Sequence, residues 1–180
     1  MTKRYKIVIS GPFAAGKTTF VQAVTEIAPV ATEAKTTALD ESSVKDATTV
    51  AMDFGRITLD GENVLHIFGT PGQFRFNYMW SILGKDALGV IVVVNPVAKE
   101  AFEDAQDIIS YFRVKTDVPI VVALNHFGGH EELSREEIRQ ALSIPKWIHI
   151  VDCDARDKES VRSVLLVLLQ LVKDETYSAT

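Results

Sequence analysis

The eight residues GPFAAGKT, at positions 11–18, constrain the fold of this chain more than any other stretch. They match the pattern G-x-x-x-x-G-K-[ST], and they stand between a strand-like apolar run, 5–10, and a run with helical periodicity, 17–28. The glycines permit a tight turn that brings backbone N–H groups to phosphate oxygens, and the start of the helix adds its positive dipole end. The stretch therefore predicts a phosphate-binding loop that joins a strand to a helix.

The loop predicts a nucleoside di- or triphosphate as the ligand, with Mg²⁺. Lys17 would place its charge at the β- and γ-phosphates, and the Thr18 hydroxyl would bind the metal. Hydrolysis is a separate claim, because holding phosphates does not require cleaving them. The phosphate-binding residues predicted within the loop and the first helical turn are Gly11, Ala14, Ala15, Gly16, Lys17, Thr18 and Thr19.

Short apolar runs alternate with amphipathic runs along the rest of the chain. The runs at 87–95 and 118–125 are continuously apolar, as in strands buried on both faces, and strand-like runs at 49–59 and 63–69 flank a DG turn. This order predicts an α/β fold with a mostly parallel six-stranded sheet and helices on both faces. The remaining runs are a last strand at 147–152 and helices at 99–113, 134–142 and 158–174, the last capped by Asp157.

Composition argues against several classes of protein. The net charge of −5 over 180 residues is unlike the basic surface of a nucleic-acid binder. The single cysteine, Cys153, cannot form an internal disulfide. No apolar run approaches the roughly 20 residues of a membrane span, and neither end carries a lipidation signal. We therefore expect one domain, residues 1–180, that works in the cytoplasm without nucleic acid and without a membrane anchor of its own.

Two further stretches indicate a family. TVAMDFG, at 49–55, and IFGTPGQFRF, at 67–76, lie on either side of the predicted hairpin turn. Together with the phosphate loop they resemble the small Ras-like GTPases, in which a Thr precedes the second strand and D-T-A-G-Q-E-R-F follows the third. The resemblance covers the whole chain and points to prokaryotic members, the MglA-type polarity GTPases and the conservon GTP-binding proteins of actinobacteria. CDARD, at 153–157, is similar to the conservon group.

The resemblance implies a P-loop NTPase of the Ras-like kind that binds GTP and GDP and hydrolyses GTP slowly. Its switch loops would lie around 36–49 and 69–83. Thr49 would close on Mg²⁺ and the γ-phosphate, and Gly72 would meet that phosphate through its backbone N–H. Gln73 would orient the attacking water. The chain would thus be a switch with two nucleotide-dependent states.

Several positions near the switch residues keep two interpretations. Arg75 would act as an arginine finger in cis or have only a structural role, and Thr48 could replace Thr49 as the switch threonine. The resemblance implies roadblock-type partners that activate or scaffold the protein, and also an effector. The segment after Gln73 is predicted to form a helix whose apolar stripe consists of Phe76, Met79, Trp80 and Leu83. Phe74 and Tyr78 lie off this stripe, so they would either contact such a partner or pack inside.

The chain departs from the family pattern in three places, one of which is CDARD, at 153–157, in the position of the family's S-A-K loop. Gly69 stands where the family has an acid that holds Mg²⁺ through water, so Mg²⁺ would rest on Thr18, Thr49 and the phosphates. The base-reading segment at 125–128 is NHFG in place of N-K-x-D, which removes a carboxylate that pairs with two guanine N–H groups. We therefore expect weaker discrimination of guanine from adenine.

The sequence therefore leaves several alternatives for the residues that would bind the base. Asn125 would contact the base or tie the phosphate loop to this corner. The missing carboxylate would come from Asp154, from Glu131 or Glu132, or from nowhere, and Ala155 would offer its N–H to a guanine O6. The predicted base-binding residues, two of which carry rings that can stack on a purine, are Asn125, His126, Phe127, Asp154, Ala155 and Arg156.

Three classes of function compete. A GTPase switch is favoured by Thr49 and Gln73, whereas a nucleotide-binding scaffold that hardly cycles would fit Gly69 and Gly128. A P-loop kinase for a small molecule would leave the stretch GTPGQFRF unexplained. The switch is the leading hypothesis.

Overall fold

A computed structural model describes residues 2–28, 30–35, 49–72, 77–126 and 133–178. Seven strands and five α-helices lie in this part of the chain, with a 3₁₀ turn, Lys99–Ala101, before the third helix. The strands are β1 Arg4–Ser10, β2 Val30–Lys35, β3 Thr49–Thr58, β4 Val64–Gly69, β5 Gly89–Val94, β6 Ile120–Asn125 and β7 His149–Cys153. The helices are α1 Lys17–Val24, α2 Tyr78–Gly84, α3 Phe102–Lys115, α4 Arg135–Ala141 and α5 Lys158–Ser178.

The strands form one sheet in the order β2-β3-β4-β1-β5-β6-β7. Its larger part is parallel, because β1 pairs with β4 and β5, and β6 joins β5 to β7. The β3–β4 hairpin makes an antiparallel border, and β2 continues it as the edge strand. The carboxyl ends of β1, β4, β6 and β7 therefore open on the same edge, where parallel α/β sheets place their ligands.

Helices cover both faces of the sheet and create two cores. On one face, α2, α3 and α4 bury side chains such as Trp80, Phe112 and Ile138. On the other face, α1 and α5 bury Phe20 and Leu168. Every residue of β5 and β6 is buried, as the continuous apolar runs predicted. The predicted α/β class, with its mostly parallel sheet and helices on both faces, is confirmed.

The predicted strand number is corrected from six to seven by the edge strand β2. Its sequence, VATEAK, has no apolar run, and the strand is held by backbone pairing with β3. Helix α1 ends at Val24, four residues before the predicted end at 28, because Thr25 has an extended backbone. The Thr25 hydroxyl instead accepts a hydrogen bond from the Arg56 N–H at 3.1 Å, which ties the helix end to β3.

The start of α5 agrees with its predicted cap. The Asp157 carboxylate accepts a hydrogen bond from the Ser160 N–H at 3.0 Å, which satisfies a backbone donor of the first turn. Within the described residues, none of the helices is both long enough and apolar enough to cross a membrane.

Candidate functional site

The loop between β1 and α1 forms the centre of the site. Gly11 has φ +145°, and a Cβ atom there would lie 2.2 Å from the carbonyl oxygen of Val93. Gly16 has φ +102°, a conformation that side chains rarely adopt, and it directly precedes α1. The two glycines therefore allow the turn and its close approach to β5, so the predicted strand–loop–helix arrangement is confirmed.

Lys17 lies inside this loop with its charge only partly compensated. The side chain is 7% exposed, and Nζ donates to the Pro12 carbonyl oxygen at 2.6 Å. Burial lowers the pKa of Lys17 to about 8, and the nearby carboxylate of Asp53 opposes that change. A bound phosphate anion would stabilise the positive charge of this ammonium group and so oppose the effect of burial.

Gly72 lies directly against Lys17. A Cβ atom at Gly72 would be 2.7 Å from Lys17 Nζ and 2.7 Å from the Cα atom of Phe13, so the segment after β4 touches the phosphate loop. Thr70 anchors this segment, because its N–H donates to the Ile9 carbonyl at 2.8 Å and its hydroxyl bonds that of Ser10 at 2.9 Å. The fold thus brings Gly72 to the loop position where the terminal phosphate is predicted.

Asp53 is a site residue that the sequence analysis missed. Its Oδ2 accepts a hydrogen bond from the Thr18 hydroxyl at 2.7 Å. In the β3–β4 register Asp53 lies opposite Gly69, and a Cβ atom at Gly69 would be 2.8 Å from the Asp53 Cβ. The Asp53 side chain therefore fills the space next to Gly69, the position at which the Ras-like pattern has an acid. The sequence did contain a signal for Asp53, because it is an acidic residue that lies opposite Gly69 in the predicted hairpin.

Thr18 and Asp53 suit a magnesium ion. Their hydroxyl and carboxylate oxygens are the hard ligands that Mg²⁺ prefers, and Mg²⁺ commonly completes its shell with water and phosphate. Among the residues that the structure describes, no three His, Cys, Asp or Glu side chains form a metal-binding group by themselves. The phosphates of a bound nucleotide would supply further ligands to this metal. The Thr49 backbone begins β3, and its side chain lies outside the described part.

Asn125, at the end of β6, connects the phosphate loop to the β7–α5 loop. It is 1% exposed, its Nδ2 donates to the Ala15 carbonyl at 2.9 Å, and its Oδ1 accepts from the Ala155 N–H at 2.9 Å. Of the two predicted roles, tying the loop to this corner is the one seen here. The Ala155 N–H that was predicted to meet a guanine O6 is engaged with Asn125.

The acidic residue beside Ala155 is paired. Asp154 Oδ1 accepts from the Arg156 N–H and from Nε, each at 2.9 Å, and Oδ2 accepts from a terminal guanidinium nitrogen at 2.7 Å. These hydrogen bonds from Arg156 lower the pKa of Asp154 to about 2. The His126 ring lies 3.1 Å from the Asp152 carboxylate, which Arg135 also contacts.

Several predicted residues lie outside the described ranges. They are Thr48, Gln73, Phe74, Arg75, Phe127, Gly128, Glu131 and Glu132. Their roles stay predictions. Tyr78 is described and is 46% exposed at the start of α2, whereas Trp80 and Leu83 of the predicted apolar stripe are buried.

Replacing Asn125 with alanine should destabilise the fold as well as the site. The change removes two buried hydrogen bonds and leaves the Ala15 carbonyl and the Ala155 N–H without these partners. We expect the free energy of unfolding to fall by about 2–4 kcal/mol in urea titrations. Asn77→Ala is the matched control, because Asn77 is exposed and its side chain makes no capping hydrogen bond to α2. An equal loss in both variants would contradict the bridging role.

Comparison with known proteins adds a family. Residues 31–174 match the sequence model of a family described as "Conserved hypothetical ATP binding protein". The chain belongs to this family. The match to the ATP-binding family begins after the phosphate loop, so the loop is an independent indication of nucleotide binding. A relative, the uncharacterized protein MJ1339 of Methanocaldococcus jannaschii, is 28% identical over 120 residues, which cover 67% of this chain and 68% of that protein.

Membership of the ATP-binding family supports the predicted nucleotide binding. The family description names ATP, and it gives neither a GTPase nor a signalling switch. The narrower expectation, a GTP-hydrolysing switch of the MglA type, therefore stays a prediction.

Proposed function

We propose that this protein binds a purine nucleoside triphosphate with Mg²⁺, hydrolyses it slowly, and signals the bound state through the segment 69–83. The observation that carries this proposal is the convergence of Lys17, Thr18, Asp53 and Gly72 at one end of the phosphate loop. A cation, a hydroxyl, a carboxylate and a closely packed backbone glycine are the groups that phosphoryl transfer requires for positioning and charge stabilisation.

The position of Gly72 gives a physical basis for a switch. A Cβ atom at Gly72 would lie 2.7 Å from Lys17 Nζ, so a terminal phosphate at Lys17 would have to displace Gly72 or accept a hydrogen bond from its N–H. A diphosphate lacks this third phosphate and would leave Gly72 in its place. Since the chain continues from Gly72 to α2, the third phosphate would bias the position of the helix. When bound, Mg²⁺ would neutralise charge on the phosphate oxygens.

Helix α2 offers a surface on which partners would read this state. Tyr78 is 46% exposed and Ile82 is 60% exposed, although both are large and apolar. A partner that binds this face, whether a roadblock-type regulator or an effector, would be sensitive to the nucleotide. A kinase function is less well supported, because the contacts described here account for phosphates and metal without a second substrate.

A scaffold with relaxed base specificity is the second candidate. It is favoured by the pairing of Asp154 with Arg156, which contacts both oxygens of one carboxylate that was predicted to replace the missing base-reading acid. The two candidates share the phosphate site and differ in whether the bound triphosphate is cleaved.

Single-turnover hydrolysis of bound GTP and ATP, with and without Mg²⁺, tests the proposal. We expect slow, Mg²⁺-dependent release of phosphate, and we expect Gln73→Ala to lower the rate by about tenfold with unchanged affinity, because a slow reaction leaves little for one group to contribute. Arg75→Ala, measured in parallel, separates the catalytic from the structural interpretation of that arginine. Tight binding without any cleavage would instead select the scaffold.

A further inference from the structure

In the β7–α5 loop, both oxygens of the Asp154 carboxylate accept hydrogen bonds from Arg156. Arg156 contacts Asp154 in a fork, with Nε on one oxygen and a terminal nitrogen on the other. The backbone N–H of Arg156 adds a third hydrogen bond to the same side chain. A forked guanidinium satisfies a carboxylate in the geometry that a guanine base would otherwise use with its two N–H groups.

The loop that carries this pair is fixed next to the phosphate loop. Ala155, between the two paired residues, donates to Asn125, and Asn125 donates to the Ala15 carbonyl. The chain of contacts places Asp154 and Arg156 at the carboxyl edge of the sheet, where a nucleotide held by the phosphate loop extends its base. The Asp154 and Arg156 side chains are both partly exposed, so a base can reach them.

We propose that Arg156 determines the base specificity of this site by withholding the Asp154 carboxylate from guanine. This inference rests on the proposed function, since it requires a purine nucleotide at the phosphate loop. With Arg156 in place, guanine gains no charged acceptor from Asp154, and the protein discriminates little between guanine and adenine. Without Arg156, the freed carboxylate accepts from the two guanine N–H groups, which adenine cannot reproduce.

The test is the ratio of affinities for fluorescent GDP and ADP, measured with Mg²⁺ on the wild type and four variants. Arg156→Ala should raise the preference for GDP about tenfold or more, as expected for a newly made hydrogen bond to a charged group. Asp154→Asn/Arg156→Ala should return the ratio to its wild-type value, because the acceptor is then gone. Arg162→Ala is the matched control, since Arg162 is an exposed arginine paired with Glu159 on α5, and its ratio should not change.

Each outcome is decisive. An unchanged ratio in Arg156→Ala, or a rise that persists in the double variant, would overturn the inference while leaving nucleotide binding intact. Arg156→Lys keeps the charge without the fork, so a GDP preference between those of the wild type and Arg156→Ala supports the inference, and one outside that interval counts against it. Failure of all five proteins to bind either nucleotide would instead refute the proposed function.

Discussion

Replacing Lys17 with alanine is expected to weaken nucleotide binding by about 100-fold or more. The buried ammonium group is the one cation that the structure shows inside the phosphate loop, and each charged hydrogen bond to phosphate contributes about 1.5–3 kcal/mol. Titration of fluorescent GDP and ADP would measure the loss. Lys115→Ala is the control, because Lys115 is exposed at the far end of α3 and its removal should leave both affinities unchanged.

The pKa of Lys17 also predicts how the nucleotide affinity changes with pH. The pKa of Lys17 is about 8 in the free protein, so the charge is present below pH 8 and is lost above it. Bound phosphate favours the charged form, so binding takes up a proton at higher pH. The affinity should therefore hold below pH 8 and fall by up to about tenfold per pH unit above it. Lys17→Ala should show no such step, and a step that persists in this variant would assign the titration to another group.

Removing the Asp53 carboxylate is expected to uncouple the nucleotide from magnesium. Asp53→Ala should lower the Mg²⁺ affinity of the nucleotide complex by about 10–100-fold, the usual cost of losing a group that orients a metal ligand. Hydrolysis should fall with it, whereas metal-free binding should change little. Mg²⁺ titrations of the GDP and ADP complexes give the measurement. The exposed helical residue Asp107 supplies the control, Asp107→Ala, which removes equal charge away from the site.

Moving the carboxylate from position 53 to position 69 tests the same role of Asp53 in a second way. Gly69→Asp alone should destabilise the protein, because its Cβ would lie 2.8 Å from that of Asp53 and two carboxylates would meet. The double variant Asp53→Gly/Gly69→Asp removes the clash and moves the acid to the opposite strand. It should recover Mg²⁺ affinity to within about tenfold of the wild type. If the double variant binds Mg²⁺ no better than Asp53→Ala, the two positions are not equivalent and Asp53 acts only on Thr18.

The phosphate loop was predictable from the sequence because its requirements are local. A tight turn needs Gly11 and Gly16, and the phosphates need Lys17 and Thr18 within one turn of helix, so the chemistry is contained in eight consecutive residues. The strands buried on both faces were predictable for a similar reason, since burial requires an unbroken apolar run. The edge strand β2 carries no such run, and only its pairing with β3 reveals it.

The contacts of Asn125 and Asp154, in contrast, could not be predicted from the sequence. The sequence identified Asp154 as a possible source of the missing carboxylate, but it does not show which cation contacts its oxygens. Asn125 likewise had two possible roles, and its contacts with Ala15 and Ala155 are what distinguish them. Side-chain partners at long sequence separation depend on rotamers and on loop paths that the fold as a whole determines.

The sequence by itself determined the α/β class and the phosphate loop. The tertiary structure decided which carboxylate lies beside that loop. Asp53 and Gly69 are sixteen residues apart, and the register of one hairpin sets them opposite each other, with Thr18 of α1 in hydrogen-bonding reach. A carboxylate can contact Thr18 or a metal ion wherever the fold places its oxygens within reach, so the strand that carries it need not be adjacent in sequence.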